Sequence, residues 1–246
     1  MPIWLTAGFW GLLAGSALLL GAAAGWWLKV PPRLNAGIMA FGAGVLISAL
    51  TFDLMEEALQ QGGLWAASGG FIAGATIFTL ANLVLARSGA KHRKRPHNQT
   101  TNDNAGAAIA IGALIDGIPE SIAIGLSMLG GSTVSTAMVV AIFLSNVPEG
   151  LSSSTGMKHA GRSPVYVFGL WTAIALASAL AAIAGATIFA HLPPAAIAAA
   201  SGVAAGGILA MLADTMLPEA VAETHSATGL IAAAGFVVAF ALTNLP

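Results

Sequence analysis

The chain has 246 residues, of which 57% are hydrophobic and only 8% charged, and its mean hydropathy is +0.85. Soluble domains carry nearer one quarter charged residues, so a large soluble domain is excluded. A net charge of −1 argues against a nucleic-acid partner, and the absence of cysteine excludes disulfides and thiolate metal sites.

A helical membrane span needs about 20 apolar residues. Runs of that kind fall at 3–28, 35–59, 64–86, 105–129, 133–157, 164–190, 195–222 and 228–246. The expected fold is therefore an all-α polytopic membrane protein with eight transmembrane helices, a single transporter domain over 1–246. Met1-Pro2-Ile3-Trp4 has no basic region, and the first apolar run is longer than a signal-peptide core, so span 1 is read as retained. Gly, Ala and Ser fill many of the runs, which lets helices approach closely.

The basic residues give an orientation. Lys29 and Arg33 follow span 1. Arg87, Lys91, Arg93, Lys94 and Arg95 follow span 3, and Lys158 and Arg162 follow span 5. With eight spans, all of these loops lie on one side. The positive-inside rule then places them in the cytoplasm, with both termini outside a cell membrane, the inner membrane in a bacterium. The segment 87–104 reads as a mobile, polar cytoplasmic loop. Its His92 and His97 read as part of a solvated topology signal.

Two stretches match across the chain. FGAGVLISALTFDLMEEA (41–58) aligns with VAAGGILAMLADTMLPEA (203–220), pairing Gly44 with Gly206, Leu50 with Leu212 and Glu57 with Glu219. The two spans run in opposite senses, so the pairing suggests an inverted repeat. Spans 1–3 would match spans 6–8, with 4 and 5 between, a 3+2+3 arrangement.

The chemistry-bearing residues gather in spans 4 and 5. Asp116-Gly117-Ile118-Pro119-Glu120 and Ser145-Asn146-Val147-Pro148-Glu149 each set a carboxylate after a proline in an apolar segment. A carboxylate in hydrocarbon costs roughly 3 kcal/mol or more and marks a functional site by default. Asp116 and Glu120 share one helix face, as do Ser145 and Glu149, and Asn146 lies three before Glu149. The short Gly130-Gly131-Ser132 turn brings the two pairs to similar depth. No span holds a Lys or Arg to balance them, and a divalent cation, which takes oxygen ligands, resolves the repulsion. Farther out, Asp53 and Glu57 close span 2, while Asp214 lies deeper in span 7 and Glu219 trails towards the cytoplasm. These are candidate pathway residues for capture and release. Ser152, Ser153 and Ser154 read as packing residues.

Eight spans, outward termini, a long loop after span 3 and the motifs IDGIPESIAIG (115–125) and LSNVPEGLSSS (144–154) resemble the ZIP (Zrt/Irt-like) family of divalent metal transporters. LADTMLPEA (212–220) is similar to that family's span 7 ending. The resemblance implies that Glu120 and Glu149 are metal ligands, that Asp116 stands at the usual His position and Gly117 at the usual Asn. Ser145 and Asn146 would stand at further ligand positions. Span 6 lacks the family's glutamate, so one metal rather than two is expected, held by Asp116, Glu120 and Glu149 with Asn146, Ser145 or water. The implied substrate is zinc, with carboxylate in place of imidazole moving preference towards manganese or iron. The metal is substrate, not cofactor. Elevator-like movement of spans 1, 4, 5 and 6 past spans 2, 3, 7 and 8, towards the cytoplasm and within a homodimer, is also implied. The alternatives are a carrier of another cation such as magnesium, or a metal-sensing homologue that has lost transport. Neither Gly-x-Gly-Asp nor His-Glu-x-x-His is present, so no enzyme is expected.

Overall fold

The computed structural model describes residues 1–85, 87, 103–129 and 134–244, with backbone alone for 103–110 and 244. Most of the 87–104 loop, with His92 and His97, and the turn at Gly130-Gly131-Ser132 lie outside the described residues. The described chain is helical. α1 is Ile3–Trp27, α2 Pro32–Ala49, α3 Glu56–Leu85, α4 Asp103–Leu126 and α5 Thr136–His159. They are followed by α6 Pro164–Thr187, α7 Pro194–Met211, α8 Leu217–Thr224 and α9 Thr228–Asn244.

Among the described residues, four stretches are long and apolar enough to cross a membrane: Ile3–Trp27, Pro32–Leu85, Pro164–His191 and Pro194–Thr243. The second has 54 residues, about 80 Å if straight, more than twice the hydrocarbon thickness. It is in fact two helices meeting at a kink at Gly63, where φ is 80° and ψ 171°. The fourth breaks at His225, φ 48°. α4 and α5, which carry both Pro-Glu motifs, fall outside this set. Leu20, Trp65, Ile72, Val165, Leu180 and Leu230 stand exposed on the outer surface, as suits a chain solvated by lipid tails.

The repeat seen in sequence extends well beyond the aligned stretch, always at a separation of 162 residues. α2 and α7 each have 18 residues and follow a proline, Pro31 or Pro193, in the same extended conformation. A π-helical turn begins at Leu50 in one copy and Leu212 in the other. The two positive-φ breaks, Gly63 and His225, also correspond. Paired π turns with acids inside them, Asp53 and Asp214, are the kind of helix irregularity that collects at functional sites.

Close packing gathers α1, α4, α5 and α6 into one body; the pairs α2–α9 and α3–α7, which meet each other mainly through the π turns and α8, make up a second. In the first, α1 runs parallel to α5 and antiparallel to α6, and α4 runs parallel to α6. A methyl at Gly21 would lie 2.1 Å from the Val147 carbonyl oxygen, and one at Gly125 would lie 2.2 Å from that of Ala182. In the second body, α2 packs along α9 and α3 along α7, both parallel. A methyl at Gly44 would lie 1.8 Å from the Ala232 oxygen, and one at Gly206 would lie 1.9 Å from that of Phe71. Such backbone approach is how membrane helices gain dispersion energy without a hydrophobic drive. Between the bodies, contact is looser. A methyl at Gly42 would meet the backbone of Leu144 and Ser145 at 3.4 Å, and one at Gly207 would meet Pro119 at 3.8 Å. An apolar cavity of about 310 Å³ also lies on this seam, between α3, α4 and α7 beside Pro119.

Candidate metal site

Both prolines stay inside continuous helix, at Pro119 in α4 and Pro148 in α5. Each removes one backbone donor and so frees the carbonyl four residues earlier, at Ile115 and Leu144. The acids that follow them are buried: Glu120 is 2% exposed and Glu149 9%. They meet at one small cavity at the seam, lined by Met39 of α2, Glu120, Ser145, Glu149, Met211 of α7 and Met216 of the second π turn. The cavity has a volume of about 10 Å³, space for roughly one water-sized particle. Ser145 Oγ donates its one proton to the Ile142 carbonyl at 2.9 Å and can turn it to Glu120 Oε1, 3.5 Å away. Ser145 thus ties the α5 side of the cavity to the α4 carboxylate.

The five residues singled out in spans 4 and 5 divide. Glu120, Ser145 and Glu149 line the cavity. Asp116 is buried one turn before Glu120 but is not part of that lining. Asn146 is also buried, and its Nδ2 donates to the Ala14 carbonyl of α1 at 2.9 Å. Successive positions on a helix lie about 100° apart, and this turns Asn146 away from Ser145 towards α1. Among the described residues, no three His, Cys, Asp or Glu side chains come together closely enough to hold a metal. The expected convergence of three carboxylates is therefore reduced, in the cavity, to a pair.

The pathway acids occupy the ends. Asp53 accepts from Ser135 Oγ at 2.5 Å and also hydrogen-bonds Thr243. Glu57 accepts from Gln61 Nε2 at 2.7 Å. Asp214 is exposed on the protein surface, and Glu219 is half-buried. At the far end of α8 a second pocket holds Arg33, Glu223 and His225. Ser154 accepts from the indole N–H of Trp171 at 2.9 Å, which agrees with a packing role for the serine run. The methionines are the lining residues that sequence reasoning passed over. Thioethers carry no charge and follow no spacing rule, so only their convergence marks them.

No family model matches the chain. Over 231 residues it is 29% identical to the "Putative zinc transporter" of Arabidopsis thaliana, a stretch covering 89% of this chain and 35% of that protein. The chain is similar to a metal transporter. It spans about a third of the length of that relative. The similarity agrees with the resemblance to the ZIP family that the Pro-Glu motifs carry.

Proposed function

We propose that the chain carries a divalent metal cation across a membrane through the Glu120–Glu149 cavity. The observation that carries this reading is the meeting of two buried carboxylates, from two helices, with no Lys or Arg in the lining. Two such anions in a low-dielectric site repel one another unless protonated or bridged by a cation. Ser145 adds an oxygen donor, and Asp116 stands one turn away as a further acid. Zinc is the first candidate because the similar plant protein bears that name. Manganese and iron follow from the oxygen-rich ligands.

Eight crossings in a 3+2+3 inverted repeat complete the proposal. What supports them is the constant 162-residue correspondence, the two breaks at Gly63 and His225, and the set of parallel and antiparallel neighbours. The body of α1, α4, α5 and α6 would move against the body of α2, α3, α7 and α9, carrying the ion towards the cytoplasm, within a homodimer. The looser glycine contacts along the seam favour this division. The test is uptake of zinc or manganese into proteoliposomes. Glu120→Gln or Glu149→Gln should each abolish it, and undiminished uptake in both variants would rule out the site.

A further inference from the structure

At one end of the bundle, Arg33, Glu223, Thr224 and His225 line a cleft of about 260 Å³, with Ala227 and Ile231. Arg33 is the second residue of α2, and Glu223 lies in the last turn of α8. One apolar stretch begins here at Pro32, and another breaks here at His225. The cleft therefore stands where the chain leaves the hydrocarbon. Leu34 and Leu230 beside it are exposed, as side chains facing lipid are. Among the described residues, no ion pair joins Arg33 to Glu223, so the cleft holds a cation and an anion that do not satisfy each other.

The corresponding place in the other copy of the repeat is closed and uncharged. There Gln61, Gly62 and Gly63 stand for Glu223, Thr224 and His225, and Ala195 stands for Arg33. A methyl at Gly62 would lie 2.3 Å from Ala198 Cβ and 2.9 Å from Ala195 Cα. Thr224 has a side chain and cannot come that close. Its Oγ1 lies 2.8 Å from the Ala220 carbonyl oxygen and 2.6 Å from Thr228 Oγ1, which fixes it as a spacer. The cleft is thus a feature of one copy and not a by-product of the shared fold.

We propose that this cleft binds the headgroup of a zwitterionic phospholipid that bears a primary ammonium. The Arg33 guanidinium offers its fork of donors to the phosphodiester, and the Glu223 carboxylate accepts from the ammonium. A metal ion is disfavoured by Arg33 and a simple anion by Glu223, whereas one such headgroup carries both opposite charges. Ile231, one turn into α9, continues the cleft towards the lipid tails. His225 is held in strained backbone at the cleft, the kind of outlier that gathers at ligand clamps. The bound lipid bridges α2 to the turn between α8 and α9 and anchors that body at the membrane interface.

Native mass spectrometry of the full chain in detergent tests this, with phosphatidylethanolamine, phosphatidylcholine and phosphatidylglycerol of matched chains. Phosphatidylethanolamine is expected to bind about tenfold more tightly than either, the worth of one charge-assisted hydrogen bond. Arg33→Gln should remove this binding, and Glu223→Gln should make the three lipids bind alike. Both residues are exposed, so neither change disturbs packing. Thr224→Gly keeps both charges but lets α8 approach α2 as Gly62 approaches Ala195, and it should also lose the lipid. Equal affinity for the three lipids in the unaltered chain overturns the proposal, and so does unaltered binding in any of the three variants. A large excess of soluble glycerophosphoethanolamine should leave the bound lipid in place. Displacement would assign the cleft to the free headgroup and overturn the lipid.

Discussion

Ser135 Oγ donates to Asp53 Oδ2 at 2.5 Å, joining two residues 82 apart in the chain. Ser135 is also the N-cap of α5, where its side chain accepts from the Met138 N–H at 3.1 Å. One hydroxyl therefore ends the helix that carries Glu149 and clasps it to the π turn of the other body. Ser135→Ala should cost about 1 kcal/mol for the cap alone. Ser135→Asp keeps a good cap but sets a like charge against Asp53, so it should release the clasp while α5 holds. A single cysteine at the buried position Leu54 should react faster with a maleimide in the Ser135→Asp background. Equal reactivity in both backgrounds would show that the bond does not hold this end closed.

Asn146 separates a ligand role from a structural one. Its amide is committed to the Ala14 carbonyl within the α1–α5 pair. Asn146→Ala should lower thermal stability by about 1 kcal/mol, the usual net worth of a buried hydrogen bond. Cadmium affinity should not change. Calorimetric titration in detergent checks this, and a collapse of affinity would restore Asn146 to the ligand set.

Gly44 and Gly207 face different kinds of neighbour. A methyl at Gly44 collides with the Ala232 carbonyl at 1.8 Å, and neither backbone can yield without parting α2 from α9. Gly44→Ala should cost 1–3 kcal/mol or more, as overpacking does. Gly207→Ala meets Pro119 at 3.8 Å and the Gly74 carbonyl oxygen at 3.9 Å, ordinary contacts, and should leave stability unchanged. Thermal unfolding of the two variants side by side gives the comparison.

The breaks at Gly63 and His225 invite opposite substitutions. Gly63 has φ 80°, which glycine adopts freely, whereas His225 has φ 48° and ψ −122°. Strain of this kind costs of order 1–3 kcal/mol. His225→Gly should therefore raise the unfolding temperature, and Gly63→Ala should lower it. A fall with His225→Gly would mean that the imidazole makes a contact outweighing its backbone strain.

Much of this architecture was legible because it is written in hydropathy and charge. The four apolar stretches stand out as runs in the sequence, and the repeat within the second and fourth was visible where Gly44, Leu50 and Glu57 align with Gly206, Leu212 and Glu219. The rest of the correspondence was hidden because conformation, not residue type, carries it. Gly63 and His225 share a backbone break and nothing in side-chain chemistry. The acids of α4 and α5 announced themselves by the cost of burying charge. Which of them face the cavity depended on helix rotation, and one residue of difference sends Asn146 to α1 while Ser145 meets Glu120. The methionines carried no signal of their own, since in sequence they are ordinary membrane residues.

The two Pro-Pro turns are one shape with two addresses. Lys29-Val30-Pro31-Pro32-Arg33 and His191-Leu192-Pro193-Pro194-Ala195 start helices of equal length, both turns on the surface. Their difference is that the first copy is flanked by Lys and Arg and the second is stripped of both. Insertion reads such charge rather than shape. The charge that separates the two turns is carried by two side chains, Lys29 and Arg33. A shape used twice can thus be marked differently at each address without any change to its backbone.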